Sequence, residues 1–292
     1  MPLPDMALLL LLIATLPARF DERRGSVAFH YGPALTAQQL EWFGGFDVLV
    51  THDPLPKAQV ARLRARGTKL ALYEWSVAYY RTLARRGSWQ RRAPVLNAKP
   101  LRGGVGASDA DAFYYDPAAP GFARARARAL AEKLRAIGYS GVFFDTTTEQ
   151  SVHPDARAEY RRRHPDVPYD EAFSRFLRAL REELKDGVIL TNQGYRDAEH
   201  YLPHVDYDIT ESLITGPVDG GFRLRPRAQI DAWMRELILP AARRHPKVKY
   251  VHLNYVTDLD RRVIDEILTI ARAYGHEAYV ASPDVTRTAM MP

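Results

Sequence analysis

VFFD at residues 142–145 and YDITES at 207–212 decide how this chain folds. The first is a continuous apolar run that stops abruptly at Asp145, and the second is a strand-like run that stops at Glu211. Continuous rather than alternating apolar residues mark strands buried on both faces, as parallel strands are. Similar runs recur as SVAFHY at 26–31, DVLVT at 47–51, KLALYEW at 69–75, GVILTN at 187–192, KYVHLNY at 249–255 and EAYVAS at 277–282. With GVFFD at 141–145 and DYDITE at 206–211 they make eight predicted strands. Helical signals separate them. Thr36 caps a short helix ending near Gly44-Gly45, and residues 56–66 carry Val60 and Leu63 before Gly67. Residues 121–137 place Phe122, Leu130, Leu134 and Ile137 on one stripe before Gly138. Further helices are predicted at 170–185, 226–244 and 259–274. Alternation of this kind predicts a single (β/α)8 TIM barrel over residues 26–284. An open doubly wound sheet is the competitor, but its GxGxxG opening is absent.

Two connections, after the third and fourth strands, are expected to be extended loops over the barrel mouth. No strand is predicted from Ser76 to Pro120, a stretch holding Tyr79, Tyr80, Trp89, Tyr114, Tyr115 and Gly103-Gly104-Val105-Gly106. Residues 146–168 hold His153-Pro154 and His164-Pro165. Long loops in a compact domain usually carry function. The GGVG run has neither the lysine nor the strand-before, helix-after context of a phosphate cradle, so it reads as a turn.

The 292 residues are 46% hydrophobic and 26% charged, the balance of a globular protein able to bury a large core. The absence of cysteine excludes disulfides, thiolate nucleophiles and cysteine metal ligands. The net charge of +6 comes largely from arginine runs such as Arg124, Arg126, Arg128 and Arg161-Arg162-Arg163. These runs lack an interleaved aromatic platform, so they read as solvated helix faces and no nucleic-acid partner is expected. Met6 to Leu16 is almost unbroken apolar sequence, too short to span a bilayer but of signal-peptide length. Residues 1–18, with Ala18 at the cleavage position, are expected to be a leader for export, leaving no stable membrane span in the mature chain. Asp5 and the lack of Lys or Arg before the apolar run leave an uncleaved anchor or a plain tail as alternatives.

Alternation along a strand puts Asp145 on one face with Phe143 and Gly141, and Glu211 with Ile209 and Tyr207. If both sets point inward, two carboxyl groups meet at the end of the barrel where enzymes of this fold do chemistry. Glycoside hydrolysis needs such a pair, one group protonating the departing oxygen while the other attacks the anomeric carbon or activates water. A helix cap or an arginine partner is the structural alternative for each. Other residues at strand ends are candidate carbohydrate ligands. Glu74, Asn192 and Asn254 could bond hydroxyls, against ion-pair or loop-anchoring roles. Tyr31, Trp75, Tyr195 and Tyr255 could stack on a sugar, against simple burial. His30, His52 and His252 lie on or just after different strands, which makes a metal-assisted hydrolase conceivable. None has HxH or HExxH spacing, so no metal or cofactor is expected, and a GxSxG serine site is absent.

GYSGVFFDTTTE at 138–149, LTNQGY at 190–195 and DYDITES at 206–212 together resemble the barrel of glycoside hydrolase family 114, the endo-α-1,4-polygalactosaminidase group and its relatives. The similarity of pattern runs over most of residues 26–284. It implies a TIM-barrel glycosidase acting on a polysaccharide, amino-sugar-rich polymers among them, by a retaining mechanism. It also implies Asp145 as nucleophile and Glu211 as general acid/base. The chain departs from the family pattern after Asp145, where Thr146-Thr147-Thr148 precede Glu149 instead of an immediate second acidic or asparagine residue. A carbohydrate-binding barrel that has lost a productive acid pair is the non-enzymatic alternative.

Overall fold

The computed structural model describes residues 25–80, 93–101, 112–145 and 147–288. Eight strands form one sheet in sequence order: β1 (Gly25–His30), β2 (Phe46–Thr51), β3 (Lys69–Trp75), β4 (Gly141–Asp145), β5 (Val188–Asn192), β6 (Tyr207–Glu211), β7 (Lys249–Tyr255) and β8 (Glu277–Ala281). Every neighbouring pair is parallel. Side-chain contacts join the last strand to the first, with Ser26 N–H donating to Glu277 Oε2 at 2.8 Å and the Tyr279 hydroxyl to Phe29 O at 2.8 Å. This is the TIM barrel expected from the sequence.

Residues paired across a sheet share a face. Tyr73 and Trp75 stand opposite Phe143 and Asp145. Phe143 stands opposite Leu190, Leu190 opposite Tyr207, and Asn192 opposite Ile209. Glu211 stands opposite Leu253, with Tyr255 two residues on. This face is the barrel interior, because the Phe29 ring packs 5.5 Å from that of Phe143 and 5.6 Å from that of Tyr279. Gly141 starts the inward set of β4, where an added Cβ would lie 2.4 Å from Val188 Cγ2 and 2.9 Å from Val188 O. The opposite face of the sheet meets the helices. Phe144 points that way, its ring 5.5 Å from that of Phe176 on the helix Tyr169–Leu184, which packs beside the helix Phe122–Ile137. A strand buried on both sides is why VFFD reads as unbroken apolar sequence.

Several connections differ from expectation. The third-strand insertion contains a short antiparallel ribbon, Ala78–Tyr80 with Ala112–Tyr114, where the sequence predicts no strand. The fourth-strand insertion contains the helix Pro154–Arg163, with Pro154 in its first turn and His153 accepting at its N-cap. That helix buries only Ala156 and Tyr160, too few residues for an apolar stripe. The helix predicted over 226–244 is interrupted, since Met234–Ile238 is a π-helical turn between Arg227–Trp233 and Leu239–Arg244. Pro240 follows that turn, and a proline inside a regular helix would clash with the carbonyl four residues back. After β6 the strands Thr215–Val218 and Gly221–Leu224 form a hairpin, its turn at Gly220 having φ of 84°. The expected leader, Trp89 and the GGVG run lie outside the described residues. Among the described residues, no helix is long and apolar enough to cross a membrane.

Candidate active site

Asp145 ends β4 and Glu211 ends β6, both inward-facing, and one side chain on the strand between them joins the two. Asn192 Nδ2, at the end of β5, donates to Asp145 Oδ1 at 2.8 Å and to Glu211 Oε2 at 2.6 Å. Those two oxygens are therefore separated by at most the sum of the two distances, 5.4 Å. The amide has two protons and each carboxylate can only accept when ionised, so this orientation uses both donors; the flipped amide would oppose Oδ1 to two carboxylates. The backbone of Asn192 is fixed from behind by Thr147, whose hydroxyl donates to Asn192 O at 2.8 Å.

Each acid has a second, phenolic donor. The Tyr73 hydroxyl donates to Asp145 Oδ2 at 2.5 Å, and the Tyr255 hydroxyl donates to Glu211 Oε1 at 2.6 Å. Burial, followed by the charge of the neighbouring carboxylate, pushes the ionisation of both phenols far above the ordinary tyrosine range. Both remain protonated donors. Tyr31 completes the aromatic wall, its ring 5.4 Å from that of Tyr73 and 5.9 Å from that of His52. Its ionisation is raised by burial, then by Asp145, then by Glu211, which places it in the field of both acids. Trp75 lies edge-on to Tyr73 with ring centres 5.7 Å apart. Beside Tyr31, a cavity of about 280 Å³ opens between the loops after β1 and β2, lined by Asp53, Leu55 and Thr286 among others. A larger cavity of about 430 Å³, around Glu149, Arg161 and His164 on the fourth-strand insertion, is lined by none of the groups bonded to the acids.

The two carboxyls are not equivalent. Burial raises the Glu211 pKa above its ordinary value, repulsion from Asp145 adds to this, and the hydrogen bonds from Tyr255 and Asn192 oppose it. A buried glutamic acid that holds its proton to higher pH is suited to proton donation. Asp145 is held in a fixed orientation by Tyr73 and Asn192.

Of the residues expected at the site, Asp145, Glu211, Asn192, Tyr255, Tyr31 and Trp75 share the inward face. Three others are placed differently. Glu74 is on the helix-facing side of β3 and pairs with Lys133 of the helix Phe122–Ile137, which is the ion-pair alternative. Asn254 is fully buried on the outer side of β7, and its Oδ1 accepts from Ile214 N at 2.9 Å and Thr215 N at 3.0 Å. It anchors the start of the β6 hairpin. Tyr195 is 8% exposed in the turn Gly194–Asp197, its backbone N–H donating to Asp208 Oδ2 at 3.0 Å and its ring lying against the Arg196 guanidinium. Sequence reasoning missed Tyr73, although the two-residue period carries it to the same face as Trp75 and Asp145. The histidines are dispersed. His30 bonds Pro33 O at 2.9 Å, while His252 is buried on the outer side of β7 between Thr210 and His276. Of these three, His52 stands beside the site, its ring 5.2 Å from that of Tyr73. Among the described residues, no three His, Cys, Asp or Glu side chains gather as a metal site.

No protein-family model and no curated protein sequence matches the chain. Solved structures do. The glycoside hydrolase domain of PelA from Pseudomonas aeruginosa is similar with a TM-score of 0.67 and 22% identity over 89% of this chain and 96% of that one. A variant of that same domain superposes with a TM-score of 0.65. The α-galactosidase TtGalA from Thermus thermophilus, in complex with stachyose, gives a TM-score of 0.54 and 14% identity over 92% of this chain and 63% of that one. At these identities the likeness establishes the shared barrel fold.

Proposed function

We propose that this protein is a glycoside hydrolase that cleaves a polysaccharide with retention of anomeric configuration. What carries the proposal is the single amide of Asn192 bonded to both Asp145 and Glu211, which holds their near oxygens within 5.4 Å. Retaining enzymes space their carboxyl groups about 5–5.5 Å apart, whereas inverting enzymes leave about 6.5–9.5 Å for a water. The barrel shared with the PelA glycoside hydrolase domain and with an α-galactosidase supports the same class.

In the first step, an Asp145 carboxylate oxygen attacks the anomeric carbon as its bond to the leaving oxygen breaks. Glu211 gives its proton to that oxygen. In the second step, the Glu211 carboxylate takes a proton from water, whose oxygen attacks the anomeric carbon and releases Asp145. Tyr73 and Asn192 hold Asp145 in line, and Tyr255 and Asn192 hold Glu211. Trp75 and Tyr31 offer ring faces to the sugar. Residues 26–284 act as the catalytic domain and residues 1–18 as an export leader; N-terminal sequencing of protein recovered outside the cytoplasm tests the latter.

Amino-sugar polymers lead the substrate panel on the resemblance carried by GYSGVFFDTTTE and DYDITES. The experiment is to incubate purified protein and its D145N variant with amino-sugar polymers and neutral glucans, and to size the products. Chain shortening by the unmodified protein but not by D145N is expected. Equal products from both would remove Asp145 from the reaction.

A further inference from the structure

Arg126, on the helix Phe122–Ile137, is 4% exposed and enclosed by aromatic rings. Its Cζ lies 4.3 Å from the ring centre of Tyr115 and 4.4 Å from that of Phe176. The rings of Phe122, Phe144 and Phe173 surround it at up to 5.9 Å. A guanidinium is always charged, and burying one is costly unless its donors are used. An apolar side chain of similar length would fill this cage at lower cost, so the N–H groups are the informative part. Nη1 donates to Ser76 O at 2.6 Å and Nη2 to Trp75 O at 3.0 Å. These carbonyls belong to the last residue of β3 and the residue after it. Ser76 carries the connection on, because its hydroxyl and its N–H both donate to Asp145 O, at 2.7 and 3.2 Å. Trp75 is also the cross-strand partner of Asp145.

We propose that Arg126 is a positioning residue: by clamping the carbonyls of Trp75 and Ser76 it fixes the backbone of Asp145, and so keeps the Asp145 carboxylate against Tyr73 and Asn192. The catalytic consequence rests on the glycosidase reading above, whereas the geometric one does not. A rigid backbone matters here because a misplacement of about 1 Å costs on the order of 100-fold in rate.

Three variants test this: R126A, R126K and S76A. R126A removes the clamp, R126K keeps a charge but cannot reproduce the planar fork, and S76A removes one bond to Asp145 O while leaving the backbone N–H in place. In R126A, kcat per folded molecule is expected to fall about 10- to 100-fold with KM changed far less, and added ethylguanidinium is expected to restore part of kcat. R126K and S76A should show smaller losses in the same sense. Full kcat in folded R126A, or guanidinium that raises Tm without raising kcat, would overturn the proposal. If R126A does not fold, unchanged kcat in both R126K and S76A overturns it. If the unmodified protein cleaves no glycan, the glycosidase reading fails separately. The crystal structure of R126K then decides: an Asp145 Oδ1 moved out of hydrogen-bond range of Asn192 Nδ2 supports the clamp, and one still at 2.8 Å overturns it.

Discussion

Tyr73 donates its phenolic proton to Asp145 Oδ2 over 2.5 Å, from the neighbouring strand β3, where Trp75 is the last residue. The contact pairs a permanent donor with a carboxylate whose other oxygen is bonded by Asn192. Hydrogen bonds to a charged group contribute about 1.5–3 kcal/mol, and a reacting group displaced by about 1 Å costs on the order of 100-fold in rate. Y73F, which frees Asp145 from one of its two holds, should therefore lower kcat by roughly 100-fold while leaving the far-ultraviolet circular dichroism spectrum unchanged. Steady-state kinetics on any cleaved glycan checks this.

The two acids should separate by leaving group. E211Q removes the proton donor, which a natural alcohol leaving group needs and a dinitrophenolate does not. E211Q is expected to keep substantial first-step activity on dinitrophenyl glycosides while losing the polymer, and D145N to lose both. A burst of dinitrophenol measured by stopped flow distinguishes them.

The pH dependence follows from the direction of the Glu211 shift. Burial, with repulsion from Asp145, raises its pKa, so the proton-donating form persists above the range of an exposed glutamate. The basic limb of kcat/KM should lie correspondingly higher, and in E211Q the residual activity on activated substrates should lose that limb. A basic limb unchanged in E211Q would assign it to another group.

A second carboxyl governs stability rather than chemistry. Tyr201 donates to Thr147 O at 2.8 Å and also contacts Asp170 Oδ1, which takes Glu149 N–H at 3.0 Å. Burial above all, with repulsion from Asp197 and against the hydrogen bond from Tyr201, pushes the Asp170 pKa up to about 6. A raised acid stabilises the fold fully below its unfolded pKa and loses that contribution as pH rises through about 6. The Tm of D170N relative to the unmodified protein should thus move in the variant's favour between about pH 5 and about pH 8. Calorimetry at both ends measures the difference.

The fold is readable in the sequence because each barrel strand carries its own stop signal, and Asp145 and Glu211 are two of those stops. Of the candidate site, the strand-end residues Asp145, Asn192 and Glu211 are readable, whereas the facing of their neighbours is not. Glu74 is expected at the mouth, but β3 alternates, and its inward residues are Tyr73 and Trp75. Asn254 fails for the same reason, since its neighbour Tyr255 takes the inward position. A strand with apolar residues on both faces hides its parity, which only cross-strand register supplies. Tyr195 lies beyond its strand, in a turn whose N–H groups are held by Asp208. Pairing of that kind between distant residues leaves no local signal. The helix at Pro154–Arg163 is hidden because its sequence is polar nearly all round.

Asn254 gives a stability prediction. N254A leaves the buried N–H groups of Ile214 and Thr215 without their acceptor. Each buried unsatisfied donor costs about 1–3 kcal/mol, so urea unfolding should show a loss of roughly 2–6 kcal/mol. Activity per folded molecule should change far less than in Y73F.

The stereochemistry of the first-formed product distinguishes retention from inversion. Proton NMR of a defined oligosaccharide, recorded as cleavage begins, shows the anomer released before mutarotation blurs it. Carboxyls tied together by the Asn192 amide predict a product with the configuration of the bond that was cut. An inverted anomer would rule out Asp145 as a covalent nucleophile.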